Sequence, residues 1–144
     1  MEVNYKKYMI SDDKERLKID SVLGFIRRSY WASKRPEALT RKAIDHSYCL
    51  GVYDGEEQVG FARVVTDHAT VYYICDVFIH EDHRRQGIGK KLVELILQTD
   101  GFADMMGLLG TADAQGLYEQ FGFIRDAKRL MRKPPASVSK RTAR

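Results

Sequence analysis

Seven consecutive residues between a strand-like and a helix-like segment have the types needed to bind a polyphosphate. They are, in order, Arg84, Arg85, Gln86, Gly87, Ile88, Gly89 and Lys90. Glycine lets a backbone approach its ligand closely, and the free N–H groups at a helix N-terminus attract negative charge. The arginines and the lysine add full positive charges. We therefore expect residues 84–90 to bind the phosphates of a ligand.

Two common nucleotide-binding signatures do not fit this segment. A Walker-type loop requires Ser or Thr after its lysine, and Lys91 stands there instead. A dinucleotide-binding fingerprint requires a third glycine or an alanine, and that position is Leu92. The ligand is therefore expected to be neither an ATP-type nor an NAD-type nucleotide.

The segment instead resembles the [Q/R]-x-x-G-x-[G/A] signature of the GNAT superfamily, the acyl-CoA-dependent N-acetyltransferases, through Arg84, Gly87 and Gly89. Residues 111–123 are similar to the family's later N-x-x-A-x-x-L-Y-x-x-x-G-F element. The matching positions there are Ala114, Leu117, Tyr118, Gly122 and Phe123, and Thr111 stands where asparagine is usual. The resemblance covers about residues 5–132. It implies transfer of an acetyl group from acetyl-CoA to a primary amine, by direct attack in a ternary complex.

Hydrophobic periodicity predicts the elements that must position these residues. Strands are expected at residues 5–10, 47–53, 58–66, 71–79, 107–110 and 124–131. Helices are expected after a cap at Asp20 or Ser21, after Pro36, and at residues 88–99 and 112–121. The order predicts an α+β fold, with a central mixed, mostly antiparallel sheet flanked by about four helices. The GNAT resemblance implies that the middle strands splay apart.

The resemblance also implies how acetyl-CoA, the expected cofactor, is held. Backbone N–H groups of residues 84–90 would bind its pyrophosphate. Backbone groups of Val77, Phe78 and Ile79 would pair with its pantetheine arm and face the acetyl carbonyl. Thr111 is the remaining candidate contact, although its departure from asparagine puts that contact in doubt.

Two residues are candidates for proton transfer. Asp76 is the sole charge in the strand at 71–79, and burial would raise its pKa toward that of a general base. A structural aspartate bonded to the backbone or to Arg63 is an equal alternative. Tyr118 matches the family tyrosine that protonates the leaving thiolate. Taken alone, Tyr118 would also fit a core position on its helix.

The amine acceptor, either a small molecule or a peptide, is expected at the loop between the first two helices. Tyr30 and Trp31 could form an aromatic wall or a cation–π platform, and Trp31 could equally cap the core. Arg35 and Arg63 could bind an acidic group of the substrate. The four histidines have no metal-ligand spacing, so no metal is expected.

Composition limits the remaining possibilities. From Arg125 onward there are eight Lys or Arg and one acid, which leaves 16 basic and 19 acidic residues before it. We therefore expect one acetyltransferase domain at 1–133 and a disordered basic tail at 134–144. No segment predicts a membrane span or a signal peptide, so a cytoplasmic enzyme is expected, and Cys49 and Cys75 are expected to be reduced and inert.

Partner predictions follow from the resemblance and from the charge. A homodimer is compatible with this fold, and a nucleic-acid partner is not favoured. Two alternatives to an enzyme stay open at this stage. One is an acyl-CoA-binding sensor or subunit of the same fold, and the other is a nucleic-acid-associated protein that acts through its basic tail.

Overall fold

The computed structural model describes residues 1–137, which form a six-stranded sheet with helices on both faces. The strands are β1 (Glu2–Tyr5), β2 (Tyr8–Ser11), β3 (Tyr48–Asp54), β4 (Glu57–Thr66), β5 (Val71–Ile79) and β6 (Met106–Leu109). The α-helices are α1 (Ile19–Arg28), α2 (Glu37–Asp45), α3 (Ile88–Leu97) and α4 (Gln115–Glu119). This is the α+β architecture expected from the sequence.

The strands follow chain order across the sheet, from β1 to β6. Each of β1 to β5 is antiparallel to the next, and β6 is parallel to β5 after the α3 crossover. The prediction of a mixed, mostly antiparallel sheet is confirmed. Parallel pairing requires such a crossover, because the chain must return to the same end of the sheet.

The splaying of the middle strands is also confirmed. β5 and β6 pair only from Val71↔Met106 to Ile74↔Leu109. β5 then continues to Ile79, whereas the chain leaves β6 at Gly110. The backbone of β5 beyond Ile74 therefore has no β6 partner, and a cleft opens between the two strands.

A β-bulge in β5 divides the core between the two faces of the sheet. Arg63 pairs with Cys75 and Phe61 pairs with Phe78, so two residues of β5 stand opposite one residue of β4. Asp76 adopts a left-handed conformation at this point (φ 49°). The extra residue reverses the side-chain alternation. Ile74 consequently packs on the α3 side, and Phe78 packs beside Phe25 of α1 with ring centroids 5.2 Å apart.

The single N-terminal strand predicted at residues 5–10 is wrong. The chain forms a hairpin there, with β1 and β2 joined by Lys6 and Lys7 and closed by the Tyr5↔Tyr8 pair. Lys6 has a positive φ of 52°, which a tight two-residue turn requires. The turn contains two lysines and none of Gly, Pro, Asn or Asp, which explains why turn chemistry did not reveal it.

The strand predicted at residues 124–131 is also wrong. This segment folds as turns, with the Leu130 N–H donating to the Asp126 carbonyl, and its side chains are exposed. Charged residues occupy about half of its positions, so it offers no apolar face to bury. Most of the predicted tail, residues 138–144, lies outside the described residues.

Candidate active site

One cleft of about 430 Å³ lies where β5 and β6 separate. Its walls come from the open part of β5, the start of α3, the loop before α4 and the loop after α1. Predicted site residues that line it are Tyr30, Trp31, Asp76, Val77, Ile79, Gly89, Thr111 and Tyr118. The fold thus brings eight of the 17 predicted site residues together around one space.

The N-terminus of α3 opens toward this cleft with its N–H groups free. The first helical bond runs from the Lys91 N–H to the Gly87 carbonyl, at 3.0 Å. The N–H groups of Ile88, Gly89 and Lys90 therefore precede any helical partner. Within residues 1–137 no side chain caps this helix. Arg85 and Gly87 both have positive φ, 64° and 79°, and together they form a concave turn before the helix.

The backbone at Gly89 is accessible to a ligand. A Cβ built on Gly89 has no atom within 4 Å, so nothing in the described protein fills the space above it. Free N–H groups, the positive end of the helix dipole and open space suit a phosphate group. The residues present therefore fit the pyrophosphate of coenzyme A.

The side chains of residues 84–90 contribute unequally. Arg84 folds back on its own strand, where its Nε donates to the Ile79 carbonyl at 3.0 Å and its guanidinium lies 5.1 Å from the Phe78 ring centroid. The side chains of Arg85, Gln86 and Lys90 are exposed. Arg84 is therefore held by the protein, whereas Arg85 and Lys90 remain at the surface beside the helix N-terminus.

The open backbone of β5 supplies the other side of the cleft. Val77 and Ile79 line it, and the Phe78 side chain points into the opposite core, so only the Phe78 backbone is available. The Ile79 carbonyl already accepts from Arg84. An extended amide-bearing arm could pair with the remaining groups as an added strand does.

The carboxylate of Asp76 is buried and accepts four hydrogen bonds. Trp31 Nε1 donates to Oδ1 at 2.8 Å, and Arg63 Nε donates to Oδ2 at 2.8 Å. Arg35 forms a bidentate pair, with Nη1 to Oδ2 at 2.8 Å and Nη2 to Oδ1 at 3.1 Å. Burial by itself would raise the pKa of Asp76, but the bonds from the two arginines outweigh it and lower that pKa.

This geometry favours the structural alternative for Asp76 over the base. A carboxylate whose oxygens face two guanidinium groups and an indole N–H has little tendency to accept another proton. Arg35 and Arg63 are likewise engaged, because Arg63 Nη1 also donates to Ser47 Oγ at 3.1 Å. Neither arginine lines the cleft, so their geometry does not favour binding an acidic substrate group.

Tyr30 and Trp31 form an aromatic corner at the mouth of the cleft. Their ring centroids are 5.0 Å apart in an edge-to-face arrangement. Tyr30 lies exposed in the loop after α1, as expected from the sequence. Its hydroxyl accepts a hydrogen bond from the Ala112 N–H at 3.1 Å, and this links the loop to the segment before α4. Trp31 is fixed from behind by Asp76.

Tyr118 lies on α4 with its ring buried against Phe123 and its side chain lining the cleft. Burial raises the pKa of Tyr118, so its phenol is protonated at neutral pH. Thr111 lines the cleft too, but its hydroxyl accepts from the Ala114 N–H at 3.1 Å. That bond orders the turn into α4, which is one role for the residue that replaces asparagine.

Neither cysteine has the properties of a nucleophile. Both are free thiols, Cys49 buried and Cys75 partly buried on the cleft wall. Burial raises the pKa of each thiol to about 11, so the reactive thiolate is scarce at neutral pH. The expectation that they are reduced is consistent with this geometry.

The sequence-based search missed eight of the 16 residues that line the cleft. Tyr73 and Cys75 of β5 are two of them. Tyr5 of the β1–β2 hairpin contacts the segment of residues 84–90, with its hydroxyl 2.9 Å from the Gln86 carbonyl. A contact across 81 residues leaves no local signal in the sequence, so pattern reasoning could not have found it.

Membrane-spanning helices and metal-binding clusters are both absent from residues 1–137. Within residues 1–137 no helix has the length and apolarity needed to cross a membrane. In the same part of the chain, no group of three or more His, Cys, Asp or Glu residues is arranged to hold a metal ion.

Comparison with known proteins identifies the family. The sequence profile described as "Acetyltransferase (GNAT) domain" matches residues 45–125, more than half of the chain. An uncharacterized N-acetyltransferase of Gracilaria tenuistipitata var. liui is 32% identical over 131 residues, which cover 86% of this chain and 67% of that protein. A histone acetyltransferase of Glycine max is 30% identical over 107 residues, which cover 65% of this chain and only 46% of that longer protein.

A solved structure agrees with the sequence relatives. The crystal structure of a GNAT-family protein from Xanthomonas campestris pv. campestris is 33% identical and superimposes with a TM-score of 0.84. The superposition covers 91% of this chain and 95% of that one. By profile, sequence relatives and fold, the chain belongs to the GNAT family of acetyltransferases.

Proposed function

We propose that this protein is an acetyl-CoA-dependent N-acetyltransferase whose acceptor is a primary amine. The observation that carries the proposal is the single cleft that contains three separate requirements. Among residues 1–137 it combines a helix N-terminus without a side-chain cap, a strand edge without a β6 partner and a protonated phenol. Each of these three features also occurs alone in unrelated proteins, but their presence around one cleft suits acetyl transfer from a thioester.

The phosphates and the pantetheine arm would be bound mainly by the backbone. The N–H groups of Ile88, Gly89 and Lys90 suit the pyrophosphate, and the exposed Arg85 and Lys90 side chains add charge. The thioester of the bound cofactor supplies the activated acetyl group. An unpaired N–H of β5 near Val77 suits stabilisation of negative charge on the acetyl oxygen.

Tyr118 is the proposed general acid. As the nitrogen of the amine displaced the thiolate from the carbonyl carbon of acetyl-CoA, the Tyr118 hydroxyl would donate its proton to the departing sulfur, and the proton lost by the new amide nitrogen would return through water to the Tyr118 phenolate. The phenol is protonated at neutral pH, so its proton is present when the leaving group departs. The high thiol pKa values support direct attack over a covalent enzyme intermediate.

The proton of the acceptor ammonium requires another route. An alkylammonium has a pKa of about 10, so the attacking amine must lose a proton first. The lowered pKa of Asp76 and its four donors make it a poor recipient. We therefore propose that water in the open cleft takes this proton, and that Asp76 instead holds Trp31 in place as part of the acceptor wall.

A ligand panel tests the proposal directly. At 100 times its Kd, a ligand stabilises the native state by about 2.7 kcal/mol, which corresponds to roughly 5–10 °C in the melting midpoint for a domain of this size. We expect this shift with acetyl-CoA and CoA, and none with ATP or NAD. Consumption of acetyl-CoA is then measured with polyamines, amino acids, aminoglycosides and peptides. Absence of a shift with both CoA species would refute the proposed cofactor.

A further inference from the structure

The tip of the β1–β2 hairpin donates two hydrogen bonds to one carbonyl within residues 84–90, the segment proposed to bind phosphate. Tyr5 Oη donates to the Gln86 carbonyl at 2.9 Å, and Lys6 Nζ donates to the same oxygen at 2.8 Å. The two donors are adjacent in sequence and about 80 residues from their acceptor. Since two donors converge on one exposed carbonyl, the orientation of this peptide group is fixed by the hairpin.

Gly87, the residue after Gln86, has no side chain that would block that contact. A Cβ placed on Gly87 would lie only 2.5 Å from Tyr5 Oη, and Gly87 has a φ of 79°. Glycine is therefore required here for two reasons, its left-handed backbone and the close approach of the tyrosine hydroxyl. The hairpin and the segment fit together at contact distance.

The two hydrogen bonds to the Gln86 carbonyl also set the direction of the next N–H group. In a planar trans peptide, the carbonyl of Gln86 and the N–H of Gly87 point in opposite directions. Holding the carbonyl toward the hairpin turns the Gly87 N–H away from it. This N–H precedes the free N–H groups of Ile88 and Gly89 at the start of α3.

We propose that Tyr5 and Lys6 are positioning residues for cofactor binding, which orient the backbone N–H groups at the start of α3 toward phosphate through the Gln86 carbonyl. The inference rests on the proposed function, because it assigns the hairpin to the same CoA site. Tyr5 acts without charge, and Lys6 acts as a charged donor. The N-terminal hairpin is thereby part of the site rather than an addition to the edge of the sheet.

Matched variants separate this role from a general structural one. Tyr5→Phe and Lys6→Gln each remove one donor to Gln86. Tyr48→Phe removes a tyrosine hydroxyl that donates to Asp12, and Lys7→Gln removes the neighbouring lysine, which pairs with Asp54 at 3.2 Å. Binding of CoA and of pantetheine, which lacks the phosphates, is measured for each variant by calorimetry or NMR titration.

We expect Tyr5→Phe to weaken CoA binding about fivefold and Lys6→Gln about tenfold, because a charged donor forms the stronger bond. Pantetheine affinity should stay unchanged in both, and the two control variants should bind CoA within twofold of wild type. Equal losses for CoA and pantetheine, or wild-type CoA affinity in Tyr5→Phe, would overturn the proposal. A loss in Tyr5→Phe cannot come from a lost charge interaction with phosphate, since no charge is removed.

A second readout does not depend on any cofactor. Backbone order parameters of residues 86–89 are measured by ¹⁵N relaxation in the free protein. We expect values near those of rigid backbone, about 0.85, in the wild type and a fall toward about 0.6 in Tyr5→Phe. If the wild type fails to bind CoA, the proposed function fails, and these values still decide whether the hairpin orders the segment. Unchanged order parameters in Tyr5→Phe would refute the proposal that the hairpin orders residues 86–89.

Discussion

Replacing Asp76 with asparagine distinguishes a structural carboxylate from a catalytic base. The substitution keeps the shape of the side chain but removes the charge that four donors share. One oxygen remains to accept from Trp31, while the new amide group presents hydrogens toward the guanidinium groups. Arg63, whose side chain is only 12% exposed, then retains a buried positive charge without its partner.

The expected loss of stability follows from that burial. Breaking a buried ion pair by removing one partner costs about 3–5 kcal/mol. The Arg35 side chain is 23% exposed and regains contact with water, so the lower end applies, about 3 kcal/mol. For a domain of this length this lowers the melting midpoint by about 10 °C. Urea denaturation at pH 7, followed by circular dichroism, measures it.

Asp113→Asn is the matched control, because Asp113 is an exposed carboxylate on the rim of the same cleft. We expect its stability to change by less than about 0.5 kcal/mol. A base and a structural residue also differ in their pH profiles. In our interpretation, Asp76→Asn lowers kcat/KM but keeps the acidic limb of its pH dependence. A variant of wild-type stability that loses this limb would show that Asp76 is the base and refute the reasoning.

Three further predictions concern the acid, the helix start and the sheet. Tyr118→Phe should lower kcat at least about 100-fold with unchanged CoA affinity by calorimetry, whereas Tyr73→Phe, on the same cleft wall, should change kcat less than threefold. Gly89→Leu should change urea stability by less than about 1 kcal/mol, because a Cβ at this position meets no atom within 4 Å, yet weaken CoA binding at least tenfold by filling the space above the N–H groups, whereas Gly89→Ala, which the signature allows, should bind CoA normally; normal CoA binding by Gly89→Leu would contradict backbone contact there. Asp67 has a pKa lowered by bonds from the Thr70 hydroxyl and nearby N–H groups, so its contribution is present above about pH 4 and disappears as the pH falls below that range. Asp67→Ala should therefore be less stable than wild type at pH 7, with a difference that shrinks steadily as the pH falls from about 4 toward 2, and a constant difference across that range would contradict this assignment.

The parts of the fold that follow local rules were predictable from the sequence. β5 was expected at Val71–Ile79 and has those bounds, because its residues are β-branched, aromatic or apolar almost throughout. The hairpin between β3 and β4 was expected from the turn at Asp54 and Gly55. The helix after Gly87 also follows from its periodic apolar face. Each of these signals extends over only a few neighbouring residues.

What pattern reasoning missed depends on contacts distant in sequence. The bulge at Asp76 depends on Arg35 and Arg63, which stabilise a charge that the strand alone could not bury. The hairpin turn at Lys6 is tied to Gln86. The strand expected at residues 124–131 failed for the opposite reason, because it has some β-forming residues but no apolar face.

The backbone conformation of Asp76 connects the stability of the buried ion pairs with the shape of the cleft. A left-handed aspartate in a buried strand is strained, and it persists only where its surroundings fix it. The arginines and Trp31 provide that restraint, and the resulting bulge turns Phe78 into the core on the α1 side. The same bulge lies within the part of β5 that has no β6 partner. The carboxylate thus acts on the cleft through backbone shape, which is why we expect its loss to reduce stability and activity together without removing a titrating base.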